Sequence, residues 1–206
     1  MEGNRHYRLG LAGMVGAIAA FGASTGAIAA SPSLLDLPSV EVPVVEAVPV
    51  AEAEIGSDLT ADQMAEILAL HNEARAAVGI EPLVWSADLA RDAQAWADEL
   101  AAANRFEHDP SVRGQQGENL AASQGYPNPI DIGVTSWIAE RNNNYVPNVS
   151  FAEARSQATG IIGHYTQIVW RDTTQLGCGL ATGRDGMSKL VCRYDPPGNY
   201  LRQVPY

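Results

Sequence analysis

Among the four histidines and 24 acidic residues of this 206-residue chain, side chains of types that could hold a metal ion or move a proton, stand His108, Glu118, Glu140 and His164, which residue type alone does not group. A neutral imidazole suits zinc, and a carboxylate can either ligate a metal directly or orient a histidine that does. Two histidines alone leave coordination positions to water, which the metal would acidify. Without metal, each carboxylate favours the charged form of a neighbouring histidine, and the group titrates as a coupled unit. The bland alternative is a hydrogen-bonded network that braces loops. For the set to act together, residues spread over nearly sixty positions must meet at one hollow.

Each of the four stands in a recognisable setting. His164 opens Gly163-His164-Tyr165-Thr166-Gln167 and runs into the apolar Ile168-Val169-Trp170. Glu118 lies in Gly117-Glu118-Asn119-Leu120. Glu140 follows Trp137 by three residues, and His108 closes Phe106-Glu107-His108. Two further runs accompany them: His71-Asn72-Glu73-Ala74-Arg75 near the start and Tyr194-Asp195-Pro196-Pro197-Gly198-Asn199-Tyr200 near the end.

Taken in order, these runs resemble the motifs of the CAP superfamily, which comprises cysteine-rich secretory proteins, antigen 5 and pathogenesis-related 1 proteins. The resemblance covers nearly all of residues 60–203. It implies an α–β–α sandwich, and a cavity lined by two histidines and two glutamates. Carried over position by position, these are His108 and His164 as metal ligands, with Glu118 and Glu140 behind them. Asp109 departs from the family pattern, which often has serine after the first histidine. The family shares a scaffold and not one reaction, so the activity stays open.

The elements that must position these residues are legible from periodicity. Thr60 and Gln63 form a capping-box pattern, and Met64, Ile67, Leu68, His71, Ala74 and Val78 recur at helical spacing, with Gly79 closing the helix. His71 falls on the apolar stripe, where a histidine is more often a satisfied core residue than a ligand. Ser86 caps a second helix with Leu89, Ala93, Trp96, Leu100 and Ala103 on one face. A third helix covers Ile130 to about Arg141. Gly177–Thr182 and Lys189–Tyr194 read as two strands joined by Gly183-Arg184-Asp185-Gly186, and Tyr200–Val204 as an added edge strand. Helices first and a hairpin last make the chain α+β, with a small, mostly antiparallel sheet.

Other residues take supporting roles. Asn72 and Asn119 are expected to hydrogen-bond loop backbone, and Arg75 belongs with them as part of the scaffold. Tyr165 and Gln167 flank His164 and are expected beside a ligand. Pro196-Pro197-Gly198-Asn199 predicts a rigid turn with freedom at Gly198. The stretch Ala121–Asp131 reads as a loop that could line a shallow apolar groove. Cys178 and Cys192, the two cysteines of the chain, fall in adjacent strands; in an exported domain they pair, and the alternative is two buried thiols.

The N-terminal residues 1–29 read as a signal peptide: Arg5 and Arg8 precede an apolar run from Leu9 to Ala23, and Ala27-Ile28-Ala29 is a cleavage pattern. An uncleaved anchor is the competing reading. Residues 30–58, with prolines at 32, 38, 43 and 49, read as an extended linker, and residues 59–206 as the domain. The net charge of -11 argues against nucleic acid as a partner. Seven of the 24 acidic residues but two of the 13 basic ones fall in residues 1–58, so the domain itself is only mildly acidic. The leader suits an exported, secreted or periplasmic protein with no stable membrane span after cleavage, and the family resemblance implies one of the binding class. Its partner would be a small apolar molecule, a cell-envelope component or another protein. Two rivals stand beside it: a metal-assisted or Ser-dependent hydrolase in the same cleft, and a structural envelope module. No Gly-x-Ser-x-Gly motif supports the hydrolase.

Overall fold

The computed structural model describes residues 54–206; the expected signal peptide and most of the expected linker lie outside the described residues. The domain is a four-stranded mixed sheet between helical layers. Its elements are α1 (Ala61–Ala76), β1 (Val84–Trp85), α2 (Ala87–Ala103), β2 (Gly117–Gln124), α3 (Pro129–Ala139), α4 (Phe151–Gln157), α5 (Gly163–Ile168), β3 (Gln175–Thr182) and β4 (Met187–Asp195). The strand order is β1-β3-β4-β2, parallel between β1 and β3 and antiparallel elsewhere.

Helix starts follow local chemistry. At α1 the Thr60 hydroxyl accepts from the Gln63 amide at 3.2 Å and the Gln63 side chain returns the bond at 2.9 Å. Each bond satisfies an amide that the first turn would leave orphaned. Ser86 caps α2 by accepting from Leu89 N, and Asn104 ends that helix in the left-handed conformation. Asn128 caps α3, with Pro129 at its first position. Ser150, which closes a glycosylation-like Asn148-Val149-Ser150 pattern, caps α4.

One sheet face packs on α2 and the other on α1, α3 and α5. Leu120 and Val191 meet Ala93, Trp96, Ala97 and Leu100 of α2. Leu176, Cys178, Leu190, Cys192 and Tyr194 face Ile67, Val134, Trp137 and Ile168. The approach of α2 to β3 is close enough to require glycine: a Cβ on Gly179 would stand 2.4 Å from the Gln94 backbone. Cys178 and Cys192 are directly opposed on β3 and β4 and form a buried disulfide.

Several expectations change. Gly117–Gln124, half of which was read as a loop, is a full strand paired along β4. Of the rest of the stretch read as a loop, Tyr126 is exposed, while Ile130, where the third helix is expected to begin, lies in the core as an inward residue of that helix. Ala103, the last residue of α2, is exposed. Tyr200–Val204 forms turns and no strand; carbonyls of Leu201 and Gln203 instead accept from the first amides of α4. Residues 54–58, read as the end of the linker, pack on the domain. The Trp85 indole donates to Ile55 O at 2.8 Å, and Asp58 N to the Gln94 side chain. Among the described residues no helix is long and apolar enough to cross a membrane.

Candidate functional site

The four candidate residues form two imidazole–carboxylate pairs, one tied to each side of edge strand β2. Glu118 and Asn119 are consecutive on that strand, so their side chains point to opposite sheet faces. Glu118 faces the α2 layer beside its cross-strand neighbour Arg193, and its Oε1 lies 2.5 Å from Nδ1 of His108. Asn119 faces the opposite layer and donates to the His164 carbonyl at 3.1 Å. The His164 ring carries the second pair, with Nδ1 2.5 Å from Oε1 of Glu140.

The His108 pair stands on a charged cluster. Glu118 Oε1 also accepts from Asp109 N at 3.1 Å. The Arg193 guanidinium lies 2.9 Å from Asp109 and 3.0 Å from Glu118 Oε2. The second contact is an ion pair without an aligned hydrogen bond, since neither Glu118 Oε2 nor Arg193 Nη1 finds a bonded partner. Burial works against ionisation of Asp109, but bonds from Ser111 and the Arg193 charge outweigh it and hold its carboxyl below the ordinary carboxylate range. The His108 side chain is 62% exposed, so the carboxylate fixes it from beneath while its other edge meets solvent.

The His164 pair is built differently. Helix α5 has no side-chain cap of its own at Ile162. Glu140, at the end of α3, supplies one from a distance: its Oε2 accepts from His164 N at 2.9 Å and Tyr165 N at 3.1 Å. The His164 ring stacks on Trp137, centroids 5.9 Å apart, and the Trp137 indole donates to Leu120 O of β2. The Trp-x-x-Glu spacing thus places a platform and a carboxylate one helical turn apart under the same imidazole.

Beneath His164 runs a buried polar strut. The Asn119 amide also donates to the Tyr194 hydroxyl at 3.1 Å, and that hydroxyl lies 2.9 Å from Nε2 of His71. Nδ1 of His71 reaches Ile67 O at 2.8 Å, so Nδ1 carries the proton and Nε2 accepts from Tyr194. Burial lowers the His71 pKa to about 4 against the bond to Ile67, with the charge of Arg75 acting in the same sense. Arg75 is itself buried and donates to four carbonyls, those of Glu81, Ile168, Trp170 and Thr173. Burial and the charge of Arg171 lower its pKa to about 10. Asn72 exchanges two bonds with the backbone of Leu83.

Tyr165 and Gln167, expected beside a ligand, are both buried. Gln167 spends its amide inside the fold, accepting from Gly198 N and donating to Thr173. The Tyr165 ring packs edge-on against Tyr145, 5.3 Å between centroids. Burial pushes both phenols well above their ordinary range. In the Pro-Pro-Gly-Asn turn, the left-handed residue is Asn199 and not Gly198. Gly198 is needed for space: a Cβ there would lie 2.8 Å from the Trp170 ring. Sequence reasoning missed Arg193 and the part played by Asp109. A charged residue inside the apolar run Leu190-Val191-Cys192-Arg193-Tyr194 was the available signal.

The donor chemistry fits a metal held by imidazoles. In each pair a carboxylate engages Nδ1, and no hydrogen bond among the described residues engages Nε2. This donor set occurs twice, once in each pair, and no hydrogen bond or ion pair among the described residues joins one pair to the other. It does not suit a closed structural zinc site, since no group of three or more His, Cys, Asp or Glu with metal-holding geometry occurs among the described residues. Two hollows, neither of them lined by His108, Glu118, Glu140 or His164, lie elsewhere: one of about 510 Å³ between residues 54–58 and α2, and a smaller one of about 220 Å³ between α1 and α3 near Leu70 and Ile138.

Known proteins share this architecture and much of its sequence. Pathogenesis-related protein 1 of Arabidopsis thaliana is 38% identical over 146 residues, covering 70% of this chain and 83% of its own length. Pathogenesis-related protein 1A of Nicotiana tabacum is 40% identical over 141 residues, covering 68% and 79%. The fold matches the crystal structure of NaASP2 with Zn2+ at a TM-score of 0.62 and 22% identity, over 72% of this chain and 86% of that one. BmVAL-1 matches at 0.59 and 28% identity, over 73% and 84%. Residues 68–194 match the profile of CAP, the Cysteine-rich secretory protein family, and the chain belongs to that family.

Proposed function

We propose that this is an exported binding protein whose His108 and His164 hold a divalent cation, zinc by preference, through Nε2. Glu118 and Glu140 orient the imidazoles, and the ligand is a small apolar molecule, an envelope component or a protein bound beside them. The observation that carries this reading is the matched engagement of both Nδ1 atoms by carboxylates at 2.5 Å. A carboxylate on one ring nitrogen fixes the tautomer and raises the basicity of the other, which is how metal-binding histidines are usually prepared. A two-histidine site leaves positions to water or to a ligand's oxygen. The apparent leader in residues 1–29 supports export.

The Ser-dependent form of the hydrolase alternative lacks a nucleophile in contact with a base: among the described hydrogen bonds, no serine meets His108 or His164. Ser136 donates to the Gly133 carbonyl of its own helix. The binding reading is tested by zinc calorimetry on the wild type, His108→Ala, His164→Ala and Glu118→Gln. Loss of either histidine abolishes the heat of binding, and Glu118→Gln weakens affinity about 10- to 100-fold. Unchanged affinity in both histidine variants would reject the site.

A further inference from the structure

We propose that Arg193 is the positioning residue for His108, acting through Glu118 and Asp109. Arg193 stands on β4 directly opposite Glu118 on β2 and is fully buried. A buried guanidinium is costly unless its charge is matched. Here two carboxylates match it, one from the strand and one from the loop that carries His108. The arginine therefore pins that loop to the sheet.

Its effect on His108 follows from the way the Glu118 oxygens divide their partners. Oε1 takes the His108 imidazole and the Asp109 amide, and Oε2 faces Arg193. Remove the guanidinium and nothing holds Oε2; the carboxylate can then turn about its terminal bond and exchange oxygens. The Asp109 carboxylate keeps only its bonds to Ser111, which are local to the loop. His108 has no other hydrogen bond among the described residues, so its orientation rests on this cluster. The departure at Asp109 gains a reason: its carboxylate is the second counter-charge that a buried Arg193 needs. One guanidinium against two carboxylates also leaves a net negative charge beneath His108, which attracts a cation to its exposed edge.

His164 is fixed by other means, the Trp137 stack and a carboxylate tied to two amides of α5. It serves as an internal control. The test uses nitrogen-15 NMR of the imidazoles at mildly alkaline pH in the metal-free wild type, Arg193→Gln and Arg193→Lys. In the wild type His108 shows a protonated Nδ1 and a bare Nε2. In Arg193→Gln that signature gives way to an exchanging mixture of tautomers while His164 keeps its own. Arg193→Lys, which restores a charge but cannot span both carboxylates, falls between them. A His108 spectrum unchanged in either variant overturns the proposal. So does a parallel change at His164 in a variant that keeps its fold, since the effect would then not be specific to His108. If Arg193→Gln does not fold, Arg193→Lys alone decides, by movement of His108 without movement of His164.

Only a second arm rests on the metal reading: zinc affinity falls about ten-fold in Arg193→Gln. Absence of zinc binding in the wild type would overturn that reading and leave the tautomer result to judge Arg193.

Discussion

Nε2 of His71 lies 2.9 Å from the hydroxyl of Tyr194, deep between α1 and the sheet, and that hydrogen bond requires an unprotonated acceptor. The histidine folds neutral. Its pKa falls from 6.5 in the open chain to about 4 in the fold, so between those values the unfolded chain binds the extra proton. Stability from this group is complete above pH 6.5 and is lost as the pH falls towards 4. The total is about 3 kcal/mol. Urea midpoints measured across this window should decline with acidity in the wild type and decline less in His71→Gln. Parallel slopes would show that His71 is not the titrating group.

Arg75 gathers four carbonyls from two separate segments, one at Glu81 and one running from Ile168 to Thr173, with no acidic partner among the described residues. Arg75→Met leaves those acceptors buried and bare and should cost about 3 kcal/mol or more. Arg75→Lys, with a single ammonium, recovers part of that. Chemical denaturation of both variants checks the order.

Gly198 meets the face of Trp170, which has 1% exposure and nowhere to move. Gly198→Ala should destabilise by about 1–3 kcal/mol through overpacking. Because φ at this position is ordinary, the loss comes from crowding, and Trp170→Phe in the same chain should relieve part of it. Thermal melts of the single and double variants test the coupling.

The disulfide closes a separation of 14 residues between directly paired strands. Replacing both cysteines by alanine should lower stability by about 3 kcal/mol on the chain-entropy estimate. Since both sulfurs are buried, reductant should act on the native protein only through unfolding. A thiol-release rate equal to the unfolding rate is the expected result.

Much of this architecture was readable because it is encoded locally. Thr60 with Gln63, and Ser86 before its apolar stripe, announce their helices in a few residues. The β3–β4 hairpin shows in two apolar runs around a Gly-rich turn. Strand β2 was hard to see because its alternation is muted: Ala121, Ala122, Ser123 and Gln124 carry no strong apolar face, and pairing with β4 imposes the conformation. The candidate site divides in the same way. His164 and Glu118 sit in specific runs, and the Trp137–Glu140 spacing gives the second carboxylate. Arg193 could not be matched to Asp109 without knowing that β4 lies beside β2. The inward turn of Gln167 is not legible, because sequence adjacency to His164 says nothing about which way a short helix rotates its neighbours.

Glu140 has a consequence for any reaction assigned to this region. Both of its oxygens are committed, one to an imidazole and one to a pair of backbone amides. Lifting a proton from water or a substrate with that carboxylate would mean unfastening the first turn of the short helix it secures. His108, with its far edge open to solvent, faces no such obstacle. The two halves of the arrangement are therefore unequal partners, a fixed post and an accessible hand.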